Sequence, residues 1–257
     1  MSSNKNVFFA FRSAYPYEEA LRFQGILSSE GYTGLLAFEP PETITLGNLS
    51  KPEDLLVSQE FLKKQGITLL STDRGGKTAY HGPGQLVGFP IASLKTLYGD
   101  PKAVKRFSEE LLFGLLEGAA ALGVRNLKTS ADAPGLWTSR GKLAAVGITV
   151  KDGHVFHGFS INVTQDCVPG HNLINHCGNQ ECAVTSLEQE GIRLKNVQEL
   201  ATKLLPFLSV IRGEAVLKQS KTVSYETAYA NLVSAVSRSQ MAIDHFRSNM
   251  ETLGNRE

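Results

Sequence analysis

Cysteine is scarce in this 257-residue chain: Cys167, Cys177 and Cys182 are the whole set. An odd number of thiols argues against a disulfide framework and for free cysteines, among which a nucleophile is permitted. Charge of one sign is missing too. Lys plus Arg is 26 against 25 for Asp plus Glu, so there is no basic field for a nucleic acid partner. No apolar run reaches the roughly 20 residues of a membrane-spanning helix. The opening MSSNKNVFFAFRS is too polar, and its apolar part too short, for a secretory signal. No membrane partner and cytoplasmic residence are therefore expected. Neither a G-x-G-x-x-G fingerprint nor a complete G-x-x-x-x-G-K-[ST] loop occurs, since Gly76-Lys77-Thr78 has Ser71 where the first glycine would stand, which removes the usual sequence support for nucleotide binding. Internal repeats and low-complexity segments are absent as well.

Hydrophobic residues make up 42% of the chain, enough for a proper core. One large domain over residues 1–213 and a helical extension over 214–257 are expected. The segment Tyr17 to Ser29 puts Ala20, Phe23 and Leu27 on one face and stops at Gly31, which reads as an amphipathic helix. Gly34 to Phe38, Thr43 to Leu46, Ile67 to Ser71 and Leu86 to Ile91 read as strands. A long helix is expected from Asp100, with Pro101 at its first position and Val104, Phe107, Leu111, Leu115 and Leu122 as its apolar residues, ending at Gly123. Gly135 to Ser139, Lys142 to Val150 and His154 to Val163 are β-rich, and Asp152-Gly153 signals a hairpin. Lys142 would open its strand at an exposed end. Asn196 to Glu199 reads as a capping box for a helix of about ten residues, running towards Pro206. Hairpins outnumber crossovers, so the fold class is α+β, with a mixed, largely antiparallel central sheet packed with helices.

The densest signal lies between two of these strands. RGGKTAYHGPGQLVGFP, from Arg74 to Pro90, holds five glycines and two prolines together with His81. Glycine permits positive φ and close approach to the main chain, and proline fixes the path, so this is a shaped loop whose NH groups are placed to face a ligand. The loop resembles the signature of the octanoyltransferases of lipoate biosynthesis, within the biotin/lipoate protein ligase superfamily. The resemblance extends to Tyr15-Pro16-Tyr17-Glu18-Glu19-Ala20 with Gln24, to Glu39-Pro40-Pro41 and Thr45-Leu46-Gly47, and to Pro134-Gly135-Leu136-Trp137. It continues through Lys142-Leu143-Ala144-Ala145-Val146-Gly147, His157 to Val163, Cys177-Gly178 and Val184 to Leu187, and so runs from about Val7 to Gly191.

That resemblance implies a ligase-like fold and an octanoyl-[acyl carrier protein]:protein N-octanoyltransferase. Its partners would be octanoyl-acyl carrier protein and the apo lipoyl domains of 2-oxoacid dehydrogenase complexes and of the glycine cleavage H protein. A monomer is expected, with no metal, nucleotide or organic cofactor, because the donor arrives already activated. Cys177 would be the nucleophile: a thiolate attacks a thioester well and leaves well, so the acyl group passes through nearly isoenergetic steps. Lys142 would favour the thiolate by charge and, as the amine, take a proton from the incoming lysine. Backbone NH groups of Cys177 and Gly178 are the candidate oxyanion hole. The acyl chain would lie among Arg74, Gly75, Gly76, Lys77, Thr78, Ala79, Tyr80 and His81, then Ala145, Val146 and Gly147, and finally Gly158, Phe159 and Ser160. One methylene is worth only about 1 to 3 kcal/mol in such a pocket, so selectivity between neighbouring chain lengths would be modest.

Several positions leave alternatives open. His81 either bonds the thioester region or braces the loop, and His157 either borders the acyl chain or is structural. Arg74 either pairs with an internal carboxylate or holds the substrate's polar end. His171, His176, Cys177 and Cys182 carry the N and S donors zinc takes, but C-x-x-x-x-C without a second pair is poor spacing for a structural site. The chain departs from the family pattern at His176, where Pro is usual, at Asn48 for Arg and at Ser160 for Ala, and by an extra residue before Thr45. An ATP-dependent lipoate or biotin ligase and a lipoyl/octanoyl amidotransferase are the alternative activities. A non-catalytic acyl-binding protein is the alternative from another class.

Overall fold

A computed structural model describes residues 7–130, 133–175 and 183–211. Two sheets organise them. The larger has the order β1(Val7–Arg12), β2(Thr33–Phe38), β6(Gln85–Ile91), β10(His154–Asn162), β9(Lys142–Lys151), β8(Gly135–Trp137), β7(Lys128–Thr129). Its first pair is parallel, because helix α1(Tyr17–Ser29) carries the chain back between the two strands, and all its other pairs are antiparallel. The smaller sheet has the order β4(Thr68–Ser71), β3(Thr43–Leu46), β5(Ala79–His81), with β3 and β4 parallel. This is the mixed, largely antiparallel α+β arrangement that the sequence pattern implies. The extension expected from residue 214 lies outside the described residues, as does the helix expected beyond Lys221.

Local sequence accounts for most of these elements. Helix α1 buries Ala20, Phe23, Gln24 and Leu27 on one face and turns at Gly31, whose φ of 74° is left-handed. Asp152 and Gly153 both take positive φ, 50° and 74°, which closes the β9–β10 hairpin with the twist its strands need. Helix α4(Val104–Ala121) starts later than its periodicity implies. Asp100 spends its carboxylate on the NH of Lys102 and its carbonyl on the NH of Ala103, so Pro101 sits in a turn before the helix and Val104 is exposed. Ahead of it, α3(Leu94–Tyr98), capped by the Ser93 hydroxyl, is too short for periodicity to register. In α5(Val197–Leu204) the Asn196 side chain caps the NH of Glu199, while the Glu199 carboxylate returns to Lys195 rather than to Asn196. A 3-10 turn over Leu205–Phe207 then absorbs Pro206.

Phe107, Leu111 and Leu115 of α4 pack with Leu200 and Leu204 of α5 against Leu35, Leu86, Leu143 and Phe159 of the large sheet. Each such side chain contributes roughly 1.5 to 3 kcal/mol by leaving water. A second cluster, including Ile44, Leu62, Tyr80, Cys167 and Ile174, lies under the small sheet, whose connecting helix is α2(Gln59–Gln65). The segment joining β4 to β5 is thereby held between the two sheets.

Candidate active site

Residues 72–78, between β4 and β5, fold against the face of β9. Gly75 donates its NH to the carbonyl of Ile148 at 3.2 Å. The approach requires glycine on both sides: a Cβ on Gly75 would stand 2.6 Å from the Ile148 oxygen, and one on Gly147 would stand 2.8 Å from the Gly75 oxygen and 3.1 Å from an Arg74 nitrogen. The result is a cavity of about 160 Å³. Its wall contains the whole stretch Arg74 to His81, Ala145 to Gly147 from β9, Gly158 to Ser160 from β10, and Lys142. Residues 64 to 86 positions apart in sequence, all of them in the expected acyl-binding set, thus line one cavity.

Lys142 is the first residue of β9, but its side chain is half-buried rather than standing at an exposed strand end. The cause lies further along the chain: Ala183 accepts the Lys142 NH at 2.9 Å and Thr185 donates to its carbonyl at 3.0 Å, so an added stretch of chain covers the strand's start. Nζ stands 5.3 Å from the centre of the Trp137 ring. Burial, followed by the positive charge of Arg74, pushes the amine down to about 8. Among the described residues no carboxylate forms an ion pair with it.

Arg74 is only 9% exposed, and its guanidinium donates to the carbonyls of Gly75, Lys77 and Thr45 and to the Thr45 hydroxyl. Of the two roles open to it, pairing with an internal carboxylate does not occur among the described residues, and Nε is buried without a hydrogen-bond partner. His81 is held on both ring nitrogens, by Gln85 Oε1 at 2.8 Å and Thr45 Oγ1 at 3.3 Å, and stacks on Tyr17 with centroids 5.0 Å apart. It braces the loop, and burial together with Arg74 drives it down to about 3, so it stays neutral. His157 is fully buried and bonded to Tyr17 and Asp73, with a side chain engaged in the fold.

The lipoyl protein ligase A/B catalytic domain matches residues 16–209, three-quarters of the sequence. The chain belongs to this family. The octanoyltransferase of Chromobacterium violaceum is 36% identical over 176 residues, 68% of this chain and 78% of that one. The octanoyltransferase of Caldicellulosiruptor bescii is 37% identical over 208 residues, 78% and 89% of the two. Among solved structures, lipoate-protein ligase A bound with ATP superposes with a TM-score of 0.66 at 13% identity, covering 91% of this chain and 94% of that one. The bipartite lipoate protein ligase of Thermoplasma acidophilum, studied with its E2 lipoyl domain, gives 0.64 at 13%, with coverage of 90% and 91%. At such identities the structural likeness speaks for the fold alone.

The expected nucleophile falls within residues 176–182. That segment, with His176, Cys177, Gly178 and Cys182, lies outside the described residues. Its described flanks are anchored. Asn175 donates its NH to the Asp54 carbonyl, Ala183 is tied to Lys142, and both His171 and Val184 reach the cavity wall. Cys167 is no rival nucleophile: it is buried beneath the small sheet, donates to the Thr164 carbonyl, and burial pushes its thiol up to about 12. Of the donors weighed for zinc, His171 alone is described, and the described residues contain no cluster of three metal-ligating side chains. Sequence reasoning did not pick out Tyr17, Phe89 and Asn162 as wall residues. Tyr17 stood in the Tyr-Pro-Tyr-Glu motif. Asn162, which accepts from Gln85 and donates to Thr185, stood in the His157 to Val163 motif, but its partners are 77 and 23 residues away, so its place on the wall could not be read.

Proposed function

We propose that this octanoyltransferase works in two steps through an octanoyl-cysteine. In the first, the Cys177 thiolate attacks the thioester carbonyl of octanoyl-acyl carrier protein. The carrier's sulfur leaves and takes up a proton, and the octanoyl group is left on Cys177. In the second, the target lysine of an apo lipoyl domain, as the neutral amine, attacks the acyl-cysteine and passes the proton it releases to the Lys142 amine, forming an amide and restoring the thiolate. Residues Arg74 to His81, Ala145 to Gly147 and Gly158 to Ser160 hold the acyl chain.

One observation carries this reading: Lys142 is a half-buried amine, lowered towards neutrality, on the cavity wall, and it is backbone-paired to the residue directly following the segment that bears Cys177. A general base is most effective when its pKa lies near working pH, and a lysine reaches that range only when desolvated or set beside another cation. Burial supplies the first condition and Arg74 the second. The absence of acidic side chains from the described wall of the cavity is consistent with this, since a carboxylate beside Lys142 would restore its charge.

The test is intact-protein mass spectrometry after mixing with octanoyl-acyl carrier protein in the absence of ATP, comparing the native protein with Cys177→Ala. The native protein alone should gain one octanoyl group, and should lose it when an apo lipoyl domain is added. If neither protein gains it, or if transfer occurs only with ATP and free octanoate, the acyl-cysteine route is wrong.

A further inference from the structure

The Ser160 hydroxyl stands on the cavity wall without a partner. Ser160 is only 8% exposed, and none of the described residues hydrogen-bonds its side chain. Other buried polar groups of that wall are engaged: Thr78 with Ser50, Tyr80 with Glu42, Tyr17 with His157, and Asn162 with Gln85 and Thr185. Sheet geometry aims the hydroxyl. The side chains of Phe159 and Ile161 join the core formed with α4 and α5, and successive side chains of a strand point to opposite faces, so Ser160 points into the cavity. Across the ladder it stands between Val87 of β6 and Ala145 of β9, which line the same wall. One hydroxyl is thus set into an otherwise apolar row, at a position where the chain departs from the family pattern.

Register gives the depth of that row. Ala145, the partner of Ser160, is the third residue after Lys142, so the row lies roughly 10 Å along β9 from the Lys142 backbone, at about 3.3 Å per residue. With the thioester carbonyl at the Lys142 end, an octanoyl chain laid along β9 passes the hydroxyl with its outer half. A plain alkyl chain covers the hydroxyl and offers it no bond, which counts against that ligand. A chain with its own hydroxyl at the same depth pairs with it, since each group can donate or accept.

We propose that Ser160 is a specificity-determining residue that reads the outer half of the acyl chain, and that the cavity takes a medium-chain acyl group bearing a hydroxyl near its sixth carbon. The proposal deepens the functional reading, on which it rests for the end of the cavity that holds the carbonyl. Chemistry at that carbonyl is unchanged: the hydroxyacyl group passes from the carrier's sulfur to Cys177, and from there to the target lysine.

Binding and transfer are measured separately on the full-length native protein and on Ser160→Ala, which adds no atom and breaks no hydrogen bond among the described residues. Calorimetry with octanoate, 6-hydroxyoctanoate and 3-hydroxyoctanoate reads the cavity without any reaction, and the corresponding acyl-carrier proteins with an apo lipoyl domain read transfer. In Ser160→Ala the affinity for 6-hydroxyoctanoate relative to octanoate should fall about tenfold, the scale of one hydrogen bond, and kcat/KM should shift likewise. The ratio for 3-hydroxyoctanoate, whose hydroxyl lies in the inner half, should move less than about twofold. A 6-hydroxy ratio that stays put, or a 3-hydroxy ratio that shifts as far, overturns the proposal. Failure of transfer from every donor while the binding ratio still shifts would overturn the acyl-cysteine route and leave the Ser160 contact standing, and absence of both binding and transfer would overturn both.

Discussion

At the residue level the proposed mechanism turns on one amine. Lys142 acts as a base only when unprotonated, and its lowered midpoint of about 8 means that discharge of a preformed octanoyl-enzyme should rise with pH through that value and level off above it. Lys142→Ala should cut the discharge rate by roughly 10²- to 10⁴-fold, the usual contribution of a positioned base, and should flatten that pH dependence. Single-turnover transfer from isolated acyl-enzyme across pH 6 to 10 measures both effects. A Lys142→Ala protein that keeps its full rate or its midpoint removes Lys142 from the mechanism. The glycine loop could be read from its residue types, because close backbone approach dictates them, whereas Lys142 and Ala145 to Gly147 were legible only through the resemblance to the octanoyltransferase signature. Whether Lys142 was buried could not be read. Its environment is set by Ala183 and Thr185, some forty residues downstream, through backbone groups that carry no residue-type signature.

At the level of the element, glycines inside helices separate propensity from packing. Gly25 in α1 has room: an added Cβ would meet nothing nearer than 3.5 Å, from the Phe156 ring. Gly25→Ala should therefore stabilise the protein by about 0.5 to 1 kcal/mol, the backbone entropy that glycine gives up on folding. Gly114 in α4 is the opposite case, since a Cβ there would stand 2.4 Å from the Phe207 carbonyl oxygen, a backbone atom. Overpacking of that kind costs about 1 to 3 kcal/mol, so Gly114→Ala should come out destabilising despite the gain in propensity. Thermal unfolding of the two variants checks the pair, and like signs would mean that α4 and its neighbours give way more easily than their packing implies. The same contrast explains which element boundaries the sequence conveyed. Helix α1 falls where periodicity places it, because its burial is regular. The start of α4 shifts because the Asp100 side chain captures the turn around Pro101, and side-chain capture competes with helix initiation without altering the apolar spacing.

At the scale of the whole molecule, the mixed, largely antiparallel sheet was legible because hairpin signals such as Asp152-Gly153 are local, whereas the parallel β1–β2 and β3–β4 pairings depend on which segment crosses where. The division into a large and a small sheet, with the cavity where residues 72–78 bridge them, has no counterpart in any single stretch of sequence. Long-range side-chain ties compensate for that remoteness. Gln85 joins β6 to His81, to the Tyr80 carbonyl and to Asn162, and Asn162 in turn reaches the Thr185 carbonyl. The two bonds between Lys142 and residues 183 and 185 close the same circuit from the other side, and their consequence is dynamic. An opening that frees the Lys142 amide from Ala183 also exposes the amide of Thr185, so both protons should trade with deuterium at one common rate, slower than at isolated strand ends. Amide exchange followed by NMR reads this directly. Matched rates would mean that the start of β9 and the chain from Ala183 to Thr185 open as one unit, so the proposed base and the chain that follows the Cys177 segment come apart together. Unequal rates would mean that the two can separate while the sheet stays closed.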